Sequence, residues 1–185
     1  IYETEFSEML AGEFGPTSTS TISKQTIQGY GTKIQVIFAP EDEAIAELIP
    51  LVNSAQESVH FMAFSFTNDA LGQAVLGLSE RGGEIRGVFE TRASETEYSE
   101  LTSLYCAGLP VRQDGNPGTF HHKVMIIDEE IVVTGSLNFS DNANENNDEN
   151  MIILYNSEIA SRYLEEFWRR WGESTPPDPA DLDCE

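Results

Sequence analysis

Positive charge is scarce in this sequence. Three lysines (Lys24, Lys33, Lys123) and seven arginines face 32 acidic residues, a formal net charge of -22 over 185 residues. Proteins that hold nucleic acid mainly by charge draw their non-specific affinity from counterion release and show a basic stripe. No such stripe exists here, and long-range steering of a polyanion would be repulsive. The scarcity weakens a nucleic-acid reading without removing it, because a local patch built from Lys123, Arg86, Arg92 and Arg112 would still hold a phosphate. The acidic surface is read first as a source of solubility. Cysteine is nearly absent as well. Cys106 sits in an apolar helical pattern and reads as a small buried hydrophobe. Cys184 lies in an acidic, proline-rich tail, so no disulfide framework is indicated and a bridge between the two is not expected. No apolar run reaches the length of a membrane span. No basic-plus-apolar leader stands in these residues, and localisation is left open, a secreted or cell-envelope placement being compatible with a leader lost upstream.

What is present is an ordinary globular composition, 39% hydrophobic and 10% aromatic, with an α/β rhythm. Residues 33–39 read as a strand stopped by Pro40. Residues 41–55 carry Ile45, Leu48, Ile49 and Val52 at helical spacing. Residues 58–66 (SVHFMAFSF) form a nearly continuous apolar strand of the kind covered on both faces; the FMAFSF stripe and His60 are assigned to the core. A helix over 69–80, capped by Thr67 or Asn68, ends at Gly82-Gly83. Residues 84–90 read as a strand. Residues 94–108 read as a helix opened by a capping box of Ser94 and Glu97. Short strands at 110–113, 123–128, 130–134 and 150–155 precede a last helix over 157–171. The predicted fold is α/β: a mixed, mainly parallel β-sheet flanked by helices, with ligands bound at the carboxyl ends of strands. By region, 1–10 is helical, 11–32 a Gly/Ser/Thr linker, 33–172 the α/β domain and 173–185 a disordered acidic tail. Tyr2, Glu5 and Phe6 spell Y-x-x-E-F, and Tyr163, Glu166 and Phe167 spell it again. The echo suggests that residues 1–10 end a preceding repeat.

The densest chemistry lies between His121 and Glu149. His121 and Lys123 are two residues apart, so on a strand they share one face, while His122 points away. Asp128 follows, then Ser136 and Asn138 in G-S-L-N, then Glu149 in N-D-E-N. A histidine beside a fixed cation suits reaction at phosphorus, which asks of a protein a nucleophile, a proton source and cations around the equatorial oxygens. A metal cluster from His121, His122, Asp128 and Glu149 is the alternative on residue types, and Lys123 in its midst argues against it.

The segment resembles the H-x-K-x-x-x-x-D signature of the phospholipase D superfamily with its G-S-x-N continuation and downstream acid, particularly the single-signature endonuclease and cardiolipin-hydrolase-like branch. The resemblance implies a phosphodiester hydrolase that needs no metal or other cofactor and acts on phospholipid or nucleic acid through a phosphohistidine. It implies His121 as nucleophile or general acid/base and Lys123 and Asn138 on non-bridging phosphate oxygens, with Ser136 beside them. Glu149 would orient a catalytic histidine, as a triad acid does; Glu145 and Asp148 compete for that role. Asp128 belongs to the signature and is expected to act mainly as a structural acceptor. In such proteins two signatures meet across a two-fold axis, so the resemblance implies a homodimer or a second half-domain as partner. The alternative is a non-catalytic half that completes or scaffolds another.

Overall fold

Ser58–Ala63 is buried at every position, as a strand covered on both faces must be. It lies inside one eight-stranded sheet in the computed structural model, which describes residues 1–18 and 25–184. The strands are β1 (Gln25–Gly29), β2 (Thr32–Ala39), β3 (Ser58–Ala63), β4 (Glu84–Phe89), β5 (Val111–Gln113), β6 (Lys123–Ile127), β7 (Ile131–Gly135) and β8 (Glu149–Tyr155). The helices are α1 (Tyr2–Leu10), α2 (Ala44–Ser54), α3 (Asp69–Glu80), α4 (Glu100–Cys106), α5 (Asp141–Glu145) and α6 (Ser157–Glu173). The sheet order is β1-β2-β8-β7-β6-β3-β4-β5.

The sheet is mixed and helix-flanked as expected, with one refinement. Parallel neighbours are confined to β3–β4 and β4–β5, where α3 and α4 make the crossovers; the other five pairings are antiparallel. The short turn after β6 forces an antiparallel neighbour, since a parallel return needs a crossover of a dozen residues or more; β7 and β8 are joined by residues 136–148, which carry α5 and return the chain antiparallel.

Alternation along each strand sorts the side chains between two cores. Phe61, Met125, Val133 and Ile153 face α2, α3 and α4. Met62, Val124, Ile126 and Val132 face Ala160, Leu164 and Phe167 of α6. His60 lies on the α6 side, 2% exposed, with its ring 4.9 Å from Phe167 and its Nε2 3.3 Å from a Glu84 oxygen. It is the core histidine its context indicated.

Several local expectations need correction. The helix read over 94–108 begins only at Glu100, with Ser99 as its cap. Ser94 instead turns its hydroxyl back to the Thr91 carbonyl, so the supposed capping box is a turn. The expected linker over 11–32 contains a 3-10 turn at Gly15–Thr17 and the whole of β1; residues 19–24 of it lie outside the described residues. β1 joins β2 through Tyr30 and Gly31, both at positive φ, the combination a two-residue hairpin favours. The tail is not disordered: Thr175 pairs with Gln113 in a short antiparallel bridge, and Cys184 is disulfide-bonded to Cys106. That bridge, not expected from the sequence, forms because α4 and the returning tail meet at a Cα separation of 5.4 Å, inside the range a disulfide spans.

Candidate active site

Strand direction gathers the signature residues on one rim. β3 and β7 end there, while β6 and β8, running the other way, begin there. His121 and Lys123 therefore stand at the start of β6, Ser136 and Asn138 follow β7, and Glu149 opens β8. Gly135 makes this possible: it sits at φ 148°, and a Cβ there would lie 2.2 Å from the Asn150 carbonyl. Only glycine lets β7 approach β8 this closely before the chain turns into Ser136.

His121 is exposed and Lys123 is 7% exposed. Lys123 Nζ lies 3.2 Å from His121 Nε2 and 3.4 Å from the His121 carbonyl. An ammonium can only donate, so a charged Lys123 makes Nε2 the acceptor and leaves the imidazole proton on Nδ1. Burial lowers the Lys123 pKa, and the Glu149 carboxylate acts against that shift. Phe64 walls the pair, its ring 4.6 Å from the imidazole and 5.0 Å from Nζ. The sequence reading placed all of FMAFSF in the core. Phe61, Met62 and Phe66 are there, but Phe64 is half-buried at the site because the chain leaves β3 at Ala63 and its alternation stops.

Ser136 is braced by Asn150, whose backbone N–H and side-chain amide donate to Ser136 Oγ at 3.0 and 3.2 Å. Asn150 closes N-D-E-N, but the motif gave it no role; its contact follows from β7–β8 pairing. Asn138 buries its Oδ1 without a protein partner, leaving that oxygen uncommitted. Glu149 accepts from the Asn147 amide at 3.2 Å. Of its competitors, Asp148 accepts the Gly15 N–H at 2.7 Å, and Glu145 is exposed at the end of α5.

Asp128 is not with the others. It follows the far end of β6, about 16 Å along the strand from Lys123 at ~3.3 Å per residue. Its backbone turns at φ 51°, and its carboxylate accepts the N–H groups of Gln56 (2.9 Å), Glu57 (2.8 Å) and Ser58 (2.9 Å). Burial pushes its pKa up, but these three donors prevail and hold it below the ordinary value. His122 faces the opposite side, Nε2 3.5 Å from Glu166 on α6. Of the four residues of the metal alternative only His121 and Glu149 share the rim, and among the described residues no group of three or more His, Cys, Asp or Glu is placed to hold a metal. The four-cation patch also divides. Arg86 and Arg112 lie over the Trp171 ring on the α6 face, whereas Arg92 reaches Thr119, two residues before His121.

Against known families, residues 48–171 match the one described as "Cardiolipin synthase, PLD-like domain". The chain belongs to the phospholipase D superfamily. Within it, the human "Mitochondrial cardiolipin hydrolase" is 36% identical over 135 residues, covering 73% of this chain and 54% of that protein. "Phospholipase D" of Rickettsia conorii is 30% identical over 139 residues, 75% of this chain and 70% of that one. This phospholipase D-like chain thus spans about half the length of the human relative. Among solved structures, the phospholipase D family member Nuc from Salmonella typhimurium superposes with a TM-score of 0.75 at 30% identity, covering 79% of this chain and 98% of Nuc. NucT from Helicobacter pylori gives 0.72 at 26% identity, covering 79% of this chain and 99% of NucT. No helix among the described residues is long and apolar enough to cross a membrane.

Proposed function

We propose that this chain is a metal-independent phosphodiester hydrolase that works through a phosphohistidine at His121. The observation that carries the reading is the exposed His121 Nε2 held 3.2 Å from the buried Lys123 ammonium. That arrangement offers a neutral nitrogen lone pair next to a cation aimed where phosphate charge gathers. In the first step Nε2 attacks phosphorus and the bond to the leaving oxygen breaks; Lys123, Asn138 and Ser136 take the non-bridging oxygens. The leaving oxygen requires a proton, and a second His121 across a two-fold axis supplies it. The same group then removes a proton from water, which displaces His121 and releases the phosphate monoester. Glu149 acts through a histidine, orienting it. Asp128 is a structural acceptor.

The proposal makes the pair, not the single chain, the active unit. A second copy is the partner we favour, because this one domain accounts for 98% of the Nuc chain, which leaves no room in that chain for a second half; a preceding repeat ending in residues 1–10 is the other source of a second half. The substrate class is a phosphodiester: of phospholipid, as the names of the cardiolipin hydrolase and phospholipase D relatives indicate for them, or of nucleic acid, as the family resemblance implies.

His121→Asn, near-isosteric and at an exposed position, should lower turnover of a chromogenic phosphodiester at least about 10²-fold, with an unchanged unfolding transition and no effect of EDTA on the wild type. Specific activity should rise with protein concentration in step with dimer formation in sedimentation. Activity within tenfold of wild type in the variant, or a fully active monomer, would overturn the proposal.

A further inference from the structure

Arg92 and the cleft beside it have no part in the hydrolysis proposed at His121, although they adjoin that site through Phe64. The cleft, about 160 Å³, lies between the chain leaving β3 and the chain leaving β4, with Phe64, Phe66, Phe89 and Arg92 among its walls. Phe64 belongs to both sites: one side touches His121 and Lys123, and the ring also lines the cleft. The cleft therefore lies across Phe64 from His121 and Lys123, with the Arg92 guanidinium on its wall.

Glu90 fixes this geometry. It is 4% exposed, and its two carboxylate oxygens are occupied: one accepts the Phe120 N–H, next to His121, and the other accepts the Arg92 N–H at 3.1 Å. The Arg92 loop is thus bolted to the strand that carries the catalytic pair. Beyond the bolt, Ala93 is held at φ 62°, in the left-handed region that residues with a Cβ seldom adopt. The Arg92 side chain remains 70% exposed, with Nε 3.5 Å from Glu90 and one Nη2 contact to Thr119 at 3.3 Å. Most of its five N–H donors stay uncommitted, in the fork that matches a phosphate.

We propose that Arg92 and this cleft form a second-phosphate subsite, which selects diesters carrying another phosphate beside the scissile one. The inference rests on the phosphodiesterase reading of His121. The scissile phosphate lies at His121 and Lys123, the organic link crosses the phenylalanine wall, and the neighbouring phosphate meets Arg92. Two substrate sources have this chemistry: a lipid with two phosphates, such as cardiolipin, and an oligonucleotide. A phosphodiester with one phosphate leaves the subsite empty.

The test compares Arg92→Gln with wild type on four substrates: bis(p-nitrophenyl) phosphate, phosphatidylglycerol, cardiolipin and a trinucleotide. The ratio of kcat/KM for the two-phosphate over the one-phosphate substrates should fall about tenfold or more, with partial recovery in Arg92→Lys. Arg162→Gln on the outer face of α6, an equal change in net charge, should not move the ratio. A fall confined to cardiolipin assigns the lipid source, one confined to the trinucleotide assigns the nucleotide source, and a fall on both assigns the phosphate itself. Equal losses on all four substrates, or no loss, would overturn the subsite. Calorimetry separates its failure from failure of the catalytic reading. On the His121→Asn background, glycerol 1,3-bisphosphate should bind at least about tenfold more tightly than glycerol 3-phosphate, and Arg92→Gln should remove the difference. No difference on that background rejects the subsite, even if wild type cleaves diesters; a difference there upholds it, even if wild type cleaves none.

Discussion

Replacing Asp128 by asparagine separates the structural from the catalytic meaning of the signature aspartate. The carboxylate receives Gln56 N–H through Oδ2 at 2.9 Å and Glu57 and Ser58 N–H through Oδ1 at 2.8 and 2.9 Å. These bonds tie the β6–β7 turn to the entrance of β3, which lies between β6 and β4 in the sheet. Asparagine keeps one acceptor oxygen but turns an NH₂ toward Gln56 N–H, a donor facing a donor, and removes the charge from the remaining bonds. Hydrogen bonds to an ionised acceptor contribute about 1.5–3 kcal/mol each and neutral ones about 1, not additively. Asp128→Asn should therefore cost about 2–4 kcal/mol, a fall in Tm of roughly 5–15 °C for a chain this size.

The pH dependence has a defined sign. The folded carboxyl titrates below its ordinary 3.8. Its contribution is therefore fully present above that value and is lost as pH falls through the lower folded pKa. The Tm gap between wild type and Asp128→Asn should be constant near neutrality and close in the acid range below about pH 4. Scanning calorimetry across pH gives the gap, and phosphodiesterase assays well below the variant's Tm give the activity per folded molecule. An unchanged Tm, or an activity loss beyond tenfold in folded variant, would refute the structural assignment and return Asp128 to the chemistry.

Lys123→Met should abolish phosphodiester cleavage yet raise Tm, by about 1–2 kcal/mol in stability, because it removes a charge 7% exposed that the fold holds at a cost. Since burial lowers the Lys123 pKa below 10.5, the stability gap is full below the folded pKa and closes as pH rises through it toward 10.5; a variant less stable than wild type at neutral pH would contradict this. Cys184→Ser opens a bridge between residues 78 apart in sequence and should cost up to about 4 kcal/mol by loop entropy, seen as a lower denaturant midpoint. Dithiothreitol should reproduce that loss in wild type and leave the variant unaffected.

Much of the site was legible in the sequence because its meaning is local. His121 and Lys123 share a face by strand geometry alone, and His122 points to α6 for the same reason. The helix over 69–80 was legible from Asn68, which caps it by accepting Leu71 N–H at 2.8 Å. The α4 boundary was not. Ser94 and Glu97 have the spacing of a capping box, but a turn in the chain after β4 claims Ser94 first, and a local pattern cannot report that competition. Phe64 was misassigned to the core because apolar alternation says nothing about where a strand ends.

By itself the sequence determined the order of the elements from β2 to α6 with the exception of α5, the apolar faces and the candidate residues of the site, since all three depend on spacing within a few positions. The tertiary structure decided what depends on residues far apart. Antiparallel insertion of β6 and β8 brings Glu149 and Asn150 to the rim of His121, and sends Asp128 to the opposite end. The fold also divides the cations, setting Arg86 and Arg112 on Trp171 and Arg92 beside Thr119, near His121. It closes the Cys106–Cys184 bridge across 78 positions. Such contacts arise only once the sheet is assembled, because a chain's local preferences do not record which distant segment becomes its neighbour.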